Sequence, residues 1–170
     1  DVFVRDSAPS IFAALSDKYD FGAVVERDMP ITDQYQNKIR NYSAMQYSSI
    51  RNVDFEPNAL SYEFMNMGVM VINNGFQKYL NGQTAKEFIS RPEFQPFIDG
   101  AGAWKWSTDQ TLLNTWIRQS GMKYKKLDWR WNGLYSANTR INECHFVHFF
   151  LKDKLPNRGE NVKELYDAIN

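Results

Sequence analysis

The sequence predicts an α/β domain built on a mixed, mostly parallel sheet flanked by helices. Short β-type apolar runs alternate along the chain with segments of helical hydrophobic spacing. No repeat, low-complexity tract or Gly/Ser-rich linker interrupts the 170 residues, so residues 1–170 read as a single domain. Aromatic side chains make up 15% of the chain, enough rings for a substantial core with some left to line a cleft for a polar ligand.

Val2–Val4 is a short strand-type run, and Pro9 suits the first turn of a helix carrying Ile11, Phe12 and Leu15 on one face. Ala23–Val25 reads as a second buried strand. Residues 27–58 are polar and rich in Asp, Asn, Gln, Arg and Tyr; so long a stretch is expected to be a functional loop with a little helix in it. Phe64–Ile72 is the most apolar stretch and predicts a buried strand interrupted by Asn66 and Gly68. Asn73-Asn74-Gly75 then turns the chain into a helix with Phe76, Tyr79 and Leu80 inward and Gly82 as its stop. Ser107-x-x-Gln110 has the form of a capping box, and Leu112, Leu113, Trp116 and Ile117 follow at helical spacing until Gly121. Lys126–Asp128 leads into an aromatic loop, Trp129–Gly133, and His145–Leu151 is apolar and β-like. Asn161-x-x-Glu164 opens a last amphipathic helix with Val162, Leu165, Tyr166 and Ile169.

Composition narrows the function. Lysine plus arginine is 20 and aspartate plus glutamate is 20, a balance that argues against a nucleic-acid binder, whose affinity comes from clustered basic residues. Mean hydropathy is −0.56 and no run of about 18 apolar residues occurs, so no segment of this chain is expected to span a bilayer. Cys144 is the only cysteine, which excludes an internal disulfide and a cysteine-based zinc site and favours a reducing, cytoplasmic setting. The chain opens on strand-like residues without methionine, and we read it as the C-terminal part of something longer.

Four segments carry a resemblance. Asp1-Val2-Phe3-Val4 looks like the last aspartate of an Asp-x-Asp motif. Phe64-Met65-Asn66-Met67-Gly68-Val69 resembles an Asn-x-Gly-Val strand. Asp109-Gln110-Thr111-Leu112-Leu113-Asn114 is similar to an Asp-Gln-x-x-Leu-Asn helix start, with Leu127, Trp131 and Asn132 following. His148 to Lys154 looks like a His-x-x-Gly-x-x-Lys stretch with Leu151 in place of the glycine. In that order they resemble glycosyltransferase family 8, the group that includes glycogenin and bacterial galactosyltransferases. The resemblance implies a GT-A fold whose nucleotide-binding N-terminal half would precede Asp1. It also implies transfer of a hexose-type sugar from a nucleoside-diphosphate donor, UDP by preference, to a glycan or protein-linked acceptor. Donor-selecting residues would then lie in the 27–58 stretch and in that preceding half.

The chemistry assigns roles. A diphosphate leaving group calls for a hard divalent cation, Mn²⁺ or Mg²⁺, as Lewis acid. Asp1 would supply a carboxylate and His148 an imidazole, a pair that suits Mn²⁺; Lys154 would reach the same diphosphate as a point charge. Asp109 and Gln110 are the candidate catalytic residues. Asp109 sits where a helix dipole favours an anion and is in phase with Leu112 and Trp116, whereas Gln110 contacts substrate only if the capping box does not engage it. Asn66, Gly68, Asp109, Trp131, Asn132 and Lys154 are the residues the resemblance gives to donor or acceptor. Trp104, Trp106, Trp129 and Trp131 flank the expected site as sugar-stacking rings, with core packing the alternative for each. His145 and Cys144 read as structural. The resemblance implies retention of anomeric configuration; an inverting enzyme with Asp109 as base and a non-catalytic carbohydrate-binding scaffold are the alternatives. A hydrolase with paired carboxylates is disfavoured because no two acids occupy suggestive element ends.

Overall fold

The computed structural model describes residues 1–48, 63–102, 105, 109–149 and 162–170. Six strands are β1 (Val2–Val4), β2 (Phe21–Val25), β3 (Met65–Ile72), β4 (Tyr124–Leu127), β5 (Gly133–Leu134) and β6 (Phe146–His148) among these residues. The α-helices are α1 (Asp33–Ser48), α2 (Ala85–Ile89), α3 (Gln95–Ile98), α4 (Asp109–Gln119) and α5 (Val162–Ile169).

The strands form two three-stranded sheets, ordered β3-β2-β4 and β1-β6-β5. The α/β class holds, but the sheets are not mostly parallel. β2 pairs parallel with β4 and β5 parallel with β6, whereas β3 runs antiparallel to β2 and β1 antiparallel to β6. An apolar run shows that a strand is buried; it carries no information on which way the neighbouring strand points.

β2 is the centre, with all five residues buried. One of its faces packs with Trp116 and Ile117 of α4, and the Trp116 ring lies edge-on to Phe76 at 5.4 Å and to Phe88 at 4.7 Å. The other face packs Val24 with Val71, Leu127, Trp131 and Leu134. β3 is less buried than its composition predicts: from Gly68 onward every second residue is exposed, including Met70 and Ile72, because β3 lies at the edge of its sheet.

Two further expectations change. Residues 11–14 form a 3-10 turn, in which positions three apart share a face. Ile11, Ala14 and Leu15 pack inward while Phe12 is left 79% exposed. Most of the anticipated 27–58 loop that is described is instead α1, a 16-residue helix. Its apolar stripe is narrow, carried by Tyr35, Ile39 and Tyr42 among polar neighbours, and a composition-based reading takes it for loop. Residues 49–58 of that stretch, Ser107 of the capping box, Trp104, Trp106, Leu151 and Lys154 lie outside the described residues.

Asn73 caps the 3-10 helix Asn74–Tyr79 by accepting from the N–H of Gly75 at 2.9 Å. Gly75 is required there, since a Cβ would meet Asp20 Oδ1 at 2.2 Å. Asp20 Oδ2 accepts from Lys78 Nζ at 2.9 Å and from the Tyr79 hydroxyl at 2.7 Å, and these bonds hold the Asp20 carboxyl below its ordinary pKa. A carboxyl with a depressed folded-state pKa adds stability above its unfolded value, near pH ~4, and loses it as pH falls through the folded value. Urea titrations from pH 6 to pH 2 are therefore expected to show acid destabilisation that Asp20→Asn reduces. An unchanged pH profile in that variant would remove Asp20 as a source of the acid sensitivity.

Candidate functional site

A cleft of about 920 Å³ opens where the two sheets meet, walled by α1 and the first turn of α4. The β1–β6 ladder forms one end. Val2 lies opposite His148, and the Asp1 carbonyl accepts from the N–H of Phe149 at 2.8 Å. The Asp1 carboxylate, 49% exposed, thereby comes to 3.7 Å from Nε2 of His148, whose own side chain is 10% exposed. Burial pushes the His148 pKa down to about 4, so the imidazole is neutral at pH 7.

The floor comes from an irregularity in β3. Ala23 pairs with Met70 and Val24 with Asn66, which leaves residues 67–69 bulged out of the ladder. The N–H of Gly68 closes the bulge onto Asn66 Oδ1 at 3.0 Å. The His148 ring lies against this backbone so closely that a Cβ on residue 68 would meet Cε1 at 2.2 Å and Nδ1 at 2.5 Å. Gly68 is thus a seat for the imidazole.

Under the floor runs a polar layer. Glu26, the residue directly after β2 and only 5% exposed, accepts through Oε1 from Asn66 Nδ2 at 2.7 Å and from Gln110 Nε2 at 3.0 Å. Its Oε2 has no hydrogen-bond partner among the described residues, and the residue lines the cleft. Burial raises the Glu26 pKa, against the two amide hydrogen bonds. Asn132, 0% exposed, donates to Asn66 Oδ1 at 2.8 Å and holds its own Oδ1 3.1 Å from His148 Nδ1. Asn114 fastens α4 to β3 by accepting from the N–H and donating to the carbonyl of Met65, both at 2.8 Å.

Of the residues singled out from sequence, Asp1, His148, Asn66, Gly68, Asp109 and Gln110 all line this cleft. Asp109 is exposed, lines the cleft and makes no hydrogen bond or ion pair with the described residues. Both polar ends of Gln110 are engaged: Nε2 by Glu26 and Oε1 by the N–H of Met67 at 3.2 Å. Asn132 lies beneath the cleft and reaches it only through Asn66 and His148. Trp131 sits in the core, its ring 4.8 Å from that of His145 and 5.5 Å from that of Phe146, whereas Trp129 is half-buried, with Arg140 over its ring at 5.1 Å. Cys144 is packed, its thiol pKa raised by burial to about 11.

Two features of the cleft are not evident from sequence. Glu26 is the first; an acid directly after the most buried strand is the available signal, and with Asp1 and Asp109 it gives the cleft three acids at element ends. The second is the α1 wall, where Tyr35, Lys38, Ile39 and Tyr42 recur at helical spacing facing the cleft. Tyr42 is set by an edge contact with Phe64 at 5.7 Å and a hydrogen bond of 3.3 Å with Thr111 Oγ1. Lys38 rests over the Tyr35 ring at 5.5 Å and is the one lysine or arginine among the described lining residues.

No helix among the described residues is long and apolar enough to cross a membrane. Comparison of the chain with protein-family models, with curated proteins and with solved structures gives no match.

Proposed function

We propose that this chain is the metal- and acceptor-binding portion of a GT-A-type glycosyltransferase, resembling family 8. It would move a hexose-type sugar from a nucleoside-diphosphate donor, UDP by preference, to a glycan or glycoprotein acceptor. One observation carries this reading: the carboxylate of Asp1 and the imidazole of His148, far apart in sequence, meet at 3.7 Å in the same cleft as Asn66, Gly68 and Asp109.

The donor set fits a divalent cation in part. Among the described residues no cluster of three or more His, Cys, Asp or Glu side chains is arranged to hold a metal. A neutral imidazole beside a half-exposed carboxylate makes two ligands, and Mn²⁺ or Mg²⁺ in phosphate-transferring sites takes its remaining ligands from water and substrate phosphates. Bound there, the cation supplies a Lewis acid for the departing diphosphate. The chain's own residues orient and shield: Asp109 accepts from a sugar hydroxyl, the amide floor holds the ring, and the α1 wall excludes water from one side. Lys154 is the residue we propose for the diphosphate.

Incubation of the full-length protein with a panel of UDP-hexoses is expected to release UDP only with Mn²⁺ or Mg²⁺, to stop on chelation with EDTA and to resume on adding the metal back. The product is expected to keep the donor's anomeric configuration by proton NMR. An inverted anomer would instead make Asp109 the general base. Absence of both turnover and metal-dependent nucleotide binding would leave a carbohydrate-binding scaffold.

A further inference from the structure

We infer that Glu26, acting through Asn66 and Asn132, locks His148 in the tautomer that carries its proton on Nδ1 and turns an unprotonated Nε2 towards Asp1. The inference comes from the direction each hydrogen bond must take. A backbone N–H only donates, so the bond from Gly68 at 3.0 Å identifies the Asn66 atom it meets as the oxygen. The carboxylate of Glu26 independently demands the same orientation, because Oε1 accepts from Asn66 Nδ2 at 2.7 Å. With its oxygen so placed, Asn66 requires a donor from Asn132, and Asn132 Nδ2 meets it at 2.8 Å. Asn132 therefore presents its carbonyl oxygen to His148 Nδ1 at 3.1 Å. A carbonyl oxygen accepts, so Nδ1 donates. In a neutral imidazole the other nitrogen, Nε2, is then the one with the lone pair, and it is the atom 3.7 Å from Asp1 Oδ2.

The chain of bonds is anchored at both ends. Gln110 Nε2 holds Glu26 from α4 at 3.0 Å, and the bare backbone of Gly68 leaves the ring the space it occupies. Glu26, Asn66, Asn132 and His148 are all buried, so water does not compete for these bonds. Glu26, Asn66 and Asn132 are positioning residues: they touch the imidazole or one another and set which nitrogen keeps its lone pair. The use of that nitrogen for a cation rests on the function proposed above; the tautomer does not.

The test is long-range nitrogen–proton correlation NMR on the metal-free chain labelled with ¹⁵N in its two histidines, His145 serving as internal reference. The expected spectrum for His148 at pH 7 has a pyrrole-type shift at Nδ1 and a pyridine-type shift at Nε2. A pyrrole-type Nε2 overturns the inference, and this measurement needs no variant. Glu26→Gln keeps an oxygen for both amide donors and is expected to leave the pattern unchanged, whereas Asn132→Leu, if folded, is expected to mix the tautomers; a wild-type pattern in Asn132→Leu also overturns it. Titration with Mn²⁺ then addresses the cation separately. Selective broadening of His148, with affinity about 10–100-fold weaker in Asn132→Leu, extends the lock to metal binding. The expected tautomer without any Mn²⁺ effect upholds the lock and removes the metal assignment.

Discussion

Gly68→Ala is expected to abolish the metal-dependent turnover proposed above while leaving most of the fold in place. The alanine Cβ would sit 2.2 Å from His148 Cε1 and 2.9 Å from Nε2, separations that no rotation of the methyl group relieves. The ring must leave its seat, the bulge must shift, or both. Overpacking of this kind destabilises by about 1–3 kcal/mol, and a displaced ring loses its Asn132 bond and its position beside Asp1 together. Cation affinity is expected to fall by at least the ~10–100-fold typical of disturbed supporting contacts at a metal site. Calorimetric titration with Mn²⁺, beside a urea melt to separate folding from binding, measures both. Wild-type affinity in a folded Gly68→Ala protein would show that His148 does not bind the ion from this position. Residue type alone does not predict this: a glycine in an apolar strand reads as a weak point or a bulge, and only the opposing ring shows what it makes room for.

Asp109→Asn carries the second large effect, and here the expected loss is of rate and not of stability. The carboxylate is exposed to the cleft and bonds to none of the described residues, so its replacement by an isosteric amide leaves no buried partner stranded. Loss of the favourable charge at the α4 N-terminus is worth about 0.3–1 kcal/mol, which bounds the stability change. A carboxylate that accepts from a sugar hydroxyl or serves as general base contributes about 10²–10⁴-fold to turnover. Initial rates with saturating donor and Mn²⁺ should therefore drop by that order at nearly constant melting temperature. Rates within a few-fold of wild type would leave Asp109 a helix-end charge and nothing more. A melting temperature that falls steeply would reassign it to the fold.

The two variants probe unlike kinds of residue, and these differ in how far local sequence reveals them. Asp109 is legible: it stands at the start of the clearest amphipathic segment, and the helix forms where the spacing of Leu112, Trp116 and Ile117 puts it. The strands β1, β2 and β6 and the turn at Asn73 are legible for the same local reason. α1 is not, because three cleft-facing apolar residues in sixteen give a weak periodic signal and its wall function depends on what it faces. Phe12 departs from its expected face because a 3-10 turn advances about 120° per residue and not the ~100° of an α-helix. Gln110 is identifiable but its partners are not: the expected engagement is a local capping box, and the observed ones are Glu26 and Met67, 84 and 43 positions away.

Local sequence suffices for the class, the positions of most elements and the side chains able to ligate, hydrogen-bond or carry charge, since each of these is written in neighbours a few residues apart. Strand direction, the burial of Trp131 and Asn132, and the coupling of Glu26 to His148 emerge only from long-range packing. Those depend on registers between strands distant along the chain. A shift of one position in Val2↔His148 or Val24↔Asn66 would send the same residues to other faces and other partners.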